Sequence, residues 1–255
     1  MDGSVEIATW GQPAGVLVQA AQMAQTDDPV LIVGEQGTGH EQVARHIHSR
    51  SRRSTSPFLY ASFGLPEPML VAELLGNERR RCWGEGPSIR RGVIELAEGG
   101  VLFIPLHGIN PRVDEIMCRL LREGTYQHLG RLPRRSDVRV IAWAVEDLNA
   151  VMLRSEISRA LYQELHRHGC EIKLPSLRDR MDEIPDLAER YLELVCPAYG
   201  LAPMALSPSA RTALQAHSWP GNLREFHNVL GRAALIHEGP TIEADDLSVP
   251  RKRRR

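Results

Sequence analysis

The sequence predicts an α/β protein: a parallel sheet with helices on both faces, followed by a small helical domain. Three observations carry this. Apolar strand segments alternate with helical patterns as far as Leu174, the signature of a parallel sheet whose crossovers are helices. A glycine-rich turn follows the first strand. After Pro175 the strands stop and only helical periodicity continues.

The elements follow in order. Val30–Val33, Phe58–Ala61, Val101–Ile104, Val138–Ala142 and Glu171–Leu174 are short, mostly apolar runs, as strands buried on both faces require. Helical patterns fill the gaps at Glu41–Ser49, Pro68–Leu75, Ile89–Ala97, Val113–Arg122 and Glu156–Arg167. In the C-terminal part, Asp182–Val195, Ser209–His217 and Leu223–His237 form a helical bundle. Ser207-Pro208 supplies an N-cap and a first-turn proline, and Pro220-Gly221-Asn222 a turn before the last helix. Asp182, Glu183 and Asp186 suit the positive end of the helix they open. The expected organisation is a short segment 1–29, an α/β subdomain 30–175, a helical subdomain 176–247 and a basic tail 248–255.

With 255 residues, 42% of them apolar, the chain can bury a proper core. A net charge of -1 gives no global attraction to nucleic acid or membrane. The tail Arg251-Lys252-Arg253-Arg254-Arg255 is the local exception, read as a solvated tail or a nonspecific DNA contact. Cys82, Cys118, Cys170 and Cys196 form no C-x-x-C pair, which fits reduced thiols and no zinc site. The chain shows no signal-peptide pattern and no apolar run near membrane-spanning length; the expected location is the cytoplasm.

Gly34, Glu35, Gln36, Gly37, Thr38, Gly39, His40 and Glu41 have the layout of a P-loop, where backbone N–H groups cradle phosphates and a lysine reaches the outer two. His40 stands at the lysine position. An imidazole is shorter and mostly neutral at pH 7. The only lysines, Lys173 and Lys252, lie far along the chain. His40, His46 and His48 are spaced two or more apart on one helix without a shared face, so no metal site is expected.

Further segments extend the pattern: SPF at Ser56–Phe58, ELLGNE at Glu73–Glu78, RRGVIELAEGGVLF at Arg90–Phe103, LLREGTYQHLG at Leu120–Gly130, DVRVIA at Asp137–Ala142, LPSLRDRMDEIPDLAERYL at Leu174–Leu192 and WPGNLREFHNVLGRA at Trp219–Ala233. Together, in this order and spacing, the chain resembles the AAA+ domain of bacterial enhancer-binding proteins, the ATP-driven activators of sigma-54 RNA polymerase. The resemblance runs from about Val30 to Leu247. It implies a five-stranded nucleotide-binding subdomain with a helical lid. Full-length relatives carry a sensor domain before this module and a helix-turn-helix after it; the chain reads as the bare module.

Position by position, the resemblance implies loss of ATPase chemistry. The Asp-Glu pair that follows the third strand of the family is Pro105-Leu106 here, and Pro105 lacks a backbone donor. The Thr-Asn sensor is Ala144-Val145, and the trans arginine fingers fall on Ser158 and Glu164. The lid arginine is kept as Arg224. Arg178 and Arg180 are expected to organise the junction between sheet and lid. The sigma-contacting loop aligns with Arg80-Arg81-Cys82-Trp83-Gly84-Glu85; with Arg79 this makes either a drifted loop or a basic-aromatic partner-binding tip. The implied function is a regulatory pseudo-ATPase that binds an AAA+ relative, sigma-54 or a polymerase component. Two alternatives stay open: a sensor of ATP, ADP or a cyclic dinucleotide without magnesium-dependent turnover, and a weak ATP-dependent activator.

Overall fold

The computed structural model describes residues 10–61, 66–79, 88–127, 132–145, 159–167, 170–237 and 239–248. Its contacts divide the chain into two compact units, one formed by 14–33 and 40–173, the other by 1–13, 34–39 and 174–255.

The first unit opens with helix α1, Ala14–Met23, whose Ala20 is fully buried. Next come strand β1, Val30–Gly34, helix α2, His40–Ser49, strand β2, Phe58–Tyr60, and helix α3, Glu67–Leu75. A hairpin of β3, Gly76–Arg79, and β4, Ser88–Arg91, leads into the short helix α4, Val93–Leu96. Strand β5, Val101–Pro105, precedes helix α5, Pro111–Glu123. Asn110 caps α5 by accepting from the Val113 N–H at 2.9 Å, and Gly124 closes it in the left-handed region. A small hairpin, β6 Thr125–Tyr126 with β7 Arg134–Arg135, then β8, Arg139–Ala144, helix α6, Arg159–Arg167, and β9, Glu171–Leu174, complete the series.

The five long-range strands form one sheet in the order β2-β5-β8-β1-β9. The pairings β2–β5, β5–β8 and β8–β1 are all parallel. Every residue of β1 and β5 is buried, which is why those strands read as unbroken apolar runs. The sheet packs its apolar side chains, with those of α3, α5 and α6, into one core that includes Leu31, Leu74, Leu102, Met117, Val140 and Leu165. At the foot of β8, Arg139 is buried and donates to the carbonyls of Met23 and Asp28. Burial lowers its pKa.

Three expectations are corrected here. Ile89–Ala97 is not one helix: Ile89 to Arg91 pair with Gly76 to Glu78, and only Val93–Leu96 is helical. Gly92 lies so close to the Leu74 carbonyl, 2.3 Å from where a Cβ would stand, that the chain must turn there. Helix α1 lies in what was read as a plain leading segment. Strand β5 runs on through Pro105, because the Leu106 N–H supplies the next ladder bond to Trp143 O at 2.8 Å.

In the second unit a 3₁₀ stretch, Leu177–Glu183, precedes helix α7, Ile184–Ala198, so the helix starts two residues later than Asp182. Pro185 in its first turn accounts for the late start. Helix α8, Pro208–Ala216, is capped by Ser207, whose hydroxyl accepts from the Ala210 N–H. Helix α9, Asn222–Ile236, follows the Pro220-Gly221 turn. Ala205–Leu206 (β10) and Thr241–Ile242 (β11) pair in parallel beside the helices. The core of this unit centres on Trp219, Phe226, Leu192 and Leu230.

Within it, the His227 ring lies 4.6 Å from Trp10 and 5.0 Å from Tyr191. Burial pushes its pKa from 6.5 down to about 4. The native imidazole is therefore neutral where the unfolded one would already protonate. Stability from this group is full above pH 6.5 and is lost as the pH falls toward about 4. Urea unfolding across that window should show a loss of roughly 3 kcal/mol. The loss should shrink in His227→Phe; an unchanged slope in that variant refutes the assignment.

Candidate functional site

The glycine-rich turn belongs structurally with the lid. Gly37 and Gly39 have φ of +87° and +100°, open only to glycine at low cost. A Cβ on Gly37 would stand 2.2 Å from the Gly221 carbonyl, so the turn and the start of α9 touch backbone to backbone.

Each carbonyl from Glu35 to Thr38 has a donor. Thr38 Oγ1 donates to Glu35 O at 2.8 Å, Asn222 Nδ2 to Gln36 O at 3.1 Å, the Arg224 N–H to Gly37 O at 3.2 Å and Gln12 Nε2 to Thr38 O at 2.7 Å. The N–H groups of Gln36, Gly37 and Gly39 have no partner among the described residues. A turn held by its carbonyls, with free N–H groups, has the polarity of an anion nest.

A carboxylate locks this arrangement. Glu35 Oε2 accepts from Arg178 Nη2 at 2.7 Å and from Asn222 Nδ2 at 3.0 Å. Asn222 Oδ1 also accepts the Leu177 N–H at 2.8 Å. Asn222 is fully buried with φ of 51°, a conformation asparagine tolerates better than most residues. Arg180 donates to the Gly11 carbonyl and pairs with Glu183. Both arginines of the LRDR stretch thus bind segments distant in sequence. Sequence reading placed Glu35 in the phosphate loop and Asn222 in a turn, and missed that the two are joined.

In the other unit, His40 is buried at the start of α2, its ring 4.9 Å from that of Trp143. Trp143 lies near the end of β8 and meets His107 edge-on at 4.6 Å. Pro105 pairs with Trp143 across the ladder, and both Pro105 and Leu106 are buried. Three rings and two apolar residues therefore gather at the ends of β5 and β8. Sequence reading named His40, Pro105 and Leu106, and missed that Trp143 joins them. Val145 follows, half-buried.

Glu164 lies on α6, and its Oε1 takes both Nε and Nη2 of Arg122, at 3.2 and 2.7 Å. Arg167 approaches its other oxygen at 3.7 Å. The carboxylate is neutralised within its own chain. Glu41 pairs with Arg45 one turn along α2. The Arg224 side chain is exposed and has no ion-pair partner among the described residues. Ser158, Arg80, Arg81, Trp83, Gly84 and the tail 251–255 lie outside the described residues; of Arg79 only the backbone is described, at the end of β3. Among the described residues there is no cluster of three metal-ligating side chains, and no helix is long and apolar enough to cross a membrane. Cys118, Cys170 and Cys196 are in no disulfide, and burial beside Asp114 pushes the Cys118 thiol up to about 12.

The chain matches two family models, a sigma-54 interaction domain over residues 11–171 and an AAA+ ATPase lid domain over residues 178–254. It is 35% identical over 237 residues to the Nif-specific regulatory protein of Azotobacter vinelandii, covering 92% of this chain and 45% of that one. It is 35% identical over 230 residues to the regulatory protein AtoC of Escherichia coli, covering 89% and 49%. The chain spans about half the length of these curated relatives. Among solved structures, NtrX of Brucella abortus in complex with ATP is similar at a TM-score of 0.81 and 26% identity, over 94% of this chain and 55% of that one. The same protein in complex with ADP is similar at 0.79 and 27%, over 91% and 53%. The P-loop turn, the parallel sheet and the helical lid, found together with these matches, show that the chain belongs to the sigma-54 interaction domain family of AAA+ modules.

Proposed function

We propose that this chain is a transcription-regulatory protein of the cytoplasm. In this reading its AAA+ module, divided at about 175 into an α/β part and a lid, does not turn over ATP and acts by binding other proteins. The observation that carries it is the state of the β5 and β8 ends. Where metal-assisted phosphoryl transfer needs carboxylates, Pro105 and Leu106 are buried and apolar, and the Trp143 indole lies tilted against the ring of His40, the residue at the lysine position, at 4.9 Å. The partners are an ATP-active AAA+ relative, sigma-54 or a polymerase component. The tip around Arg79, Arg80, Arg81, Trp83 and Gly84 is the proposed contact, and the tail 251–255 adds nonspecific affinity for DNA.

The test is co-assembly. The purified chain, mixed with an active enhancer-binding relative from the same cell, should enter its oligomer and change its ATP turnover per subunit. If the relative keeps its size and rate, and neither sigma-54 nor polymerase binds the chain, the reading fails.

A second reading is supported by the free N–H groups of Gln36, Gly37 and Gly39 and by the retained Arg224: a sensor that binds a nucleotide without hydrolysing it. NtrX of Brucella abortus, one of the similar solved proteins, has been crystallised in complex with ATP and with ADP. The proposed contacts run from Gly34 to Glu41 with Arg224. Calorimetry with ATP, ADP and cyclic dinucleotides decides it, and no heat at millimolar ligand excludes it.

A further inference from the structure

Helix α9 turns one face outward, of which the proposed nucleotide site uses only Arg224. Arg224, Asn228, Arg232 and Ile236 succeed one another at four-residue spacing and so form a single stripe. The first three line a groove of about 490 Å³ with Val229, Gln36 and Ser248. Among the described residues its positive charge is uncompensated. Neither Arg224 nor Arg232 has a partner among the described residues. The only lining carboxylate, Glu225, is spent: one oxygen meets His217 Nε2 at 2.8 Å and the other accepts the Gly221 N–H at 2.8 Å. Most other arginines of the described chain are paired, among them Arg45, Arg53, Arg122, Arg178 and Arg211.

Two features define the occupant. The guanidinium-bearing positions are eight residues apart, a helical rise of about 12 Å, too long for one small anion to bridge. The stripe then ends on aliphatic side chains: Ile236 is 68% exposed and its neighbour Leu235 56%. Exposed apolar surface beside unpaired arginine suits a protein partner better than a phosphate backbone. We propose that this face of α9 docks an acidic segment of a partner protein, its carboxylates on Arg224 and Arg232 and an apolar side chain over Leu235 and Ile236. This names the chemistry of a partner and holds whether or not ATP is turned over, so peptide binding and ATP turnover can fail separately.

The test is fluorescence anisotropy on the full chain with a labelled glutamate-rich peptide ending in leucines. The controls are the matching lysine-rich peptide and single-stranded DNA of equal charge. The acidic peptide should bind, and more weakly as salt rises. Arg232→Glu should weaken binding about tenfold, and Arg232→Gln, which keeps much of the side chain's size, should also weaken it. Ile236→Ser should weaken it to a similar degree, about tenfold, with the salt dependence unchanged. Both sites are exposed, so melting temperatures should stay at the parent value. Equal affinity in Arg232→Glu, preference for DNA over the peptide, or self-association abolished by Ile236→Ser would each overturn the proposal.

Discussion

Phosphate release from ATP by the purified chain is expected to stay at the buffer rate, and His40→Lys alone should not raise it. The lysine would restore a charge-assisted phosphate contact of roughly 2–5 kcal/mol. It would leave β5 ending on Pro105 and Leu106, with no carboxylate to hold a metal or orient water. It would also leave Glu164 bound to Arg122, where the resemblance places an arginine finger. Fingers alone are worth about 10³–10⁵ in rate, and the losses multiply. The measurement is a phosphate-release assay at high protein concentration, comparing the parent with His40→Ala and His40→Lys. Turnover in the parent that disappears in His40→Ala would overturn the pseudo-ATPase reading and favour the weak ATP-dependent activator.

Asn222→Ala should destabilise the lid and P-loop unit by about 2–5 kcal/mol. The amide makes three hydrogen bonds while fully buried, to the Leu177 N–H, Gln36 O and Glu35 Oε2. Truncation leaves the Leu177 donor and the Gln36 acceptor unpaired where water has little access, and alanine also tolerates φ of 51° poorly. Asn222→Asp keeps the shape but sets a carboxylate against Glu35, so it should also destabilise, and less so in the double variant with Glu35→Gln. Denaturant unfolding reads both effects. A double variant as unstable as the single one would remove the repulsion from the account. Hydrogen exchange in residues 34–39 should rise in Asn222→Ala, because the latch is what holds the turn's carbonyls.

The sheet was legible because its strands are buried on both faces. Val30 to Val33 and Val101 to Ile104 are continuous apolar runs, and burial of this kind is written directly into composition. The cap at Ser207 and the turn glycines are local chemistry that depends on a few neighbouring residues. The β3–β4 hairpin was not legible. Ile89 to Arg91 has no strand periodicity, and its pairing with Gly76 to Glu78 depends on a segment more than ten residues away. The same reason hid the packing of α1.

The site divides along the same line. Residue identity alone determined that the turn is a phosphate loop without its lysine, that Pro105 and Leu106 carry no carboxylate and that Arg224 remains, because missing functional groups need no coordinates to be noticed. Only the tertiary structure decided what the retained and substituted groups do. It brings the Trp143 ring against those of His40 and His107, returns Glu164 to Arg122, joins Glu35 to Arg178 and Asn222, and leaves Arg224 and Arg232 without an ion-pair partner among the described residues on one helix face. Each of these pairings depends on where side chains distant in sequence are brought by the packed cores, and no local propensity encodes that distance.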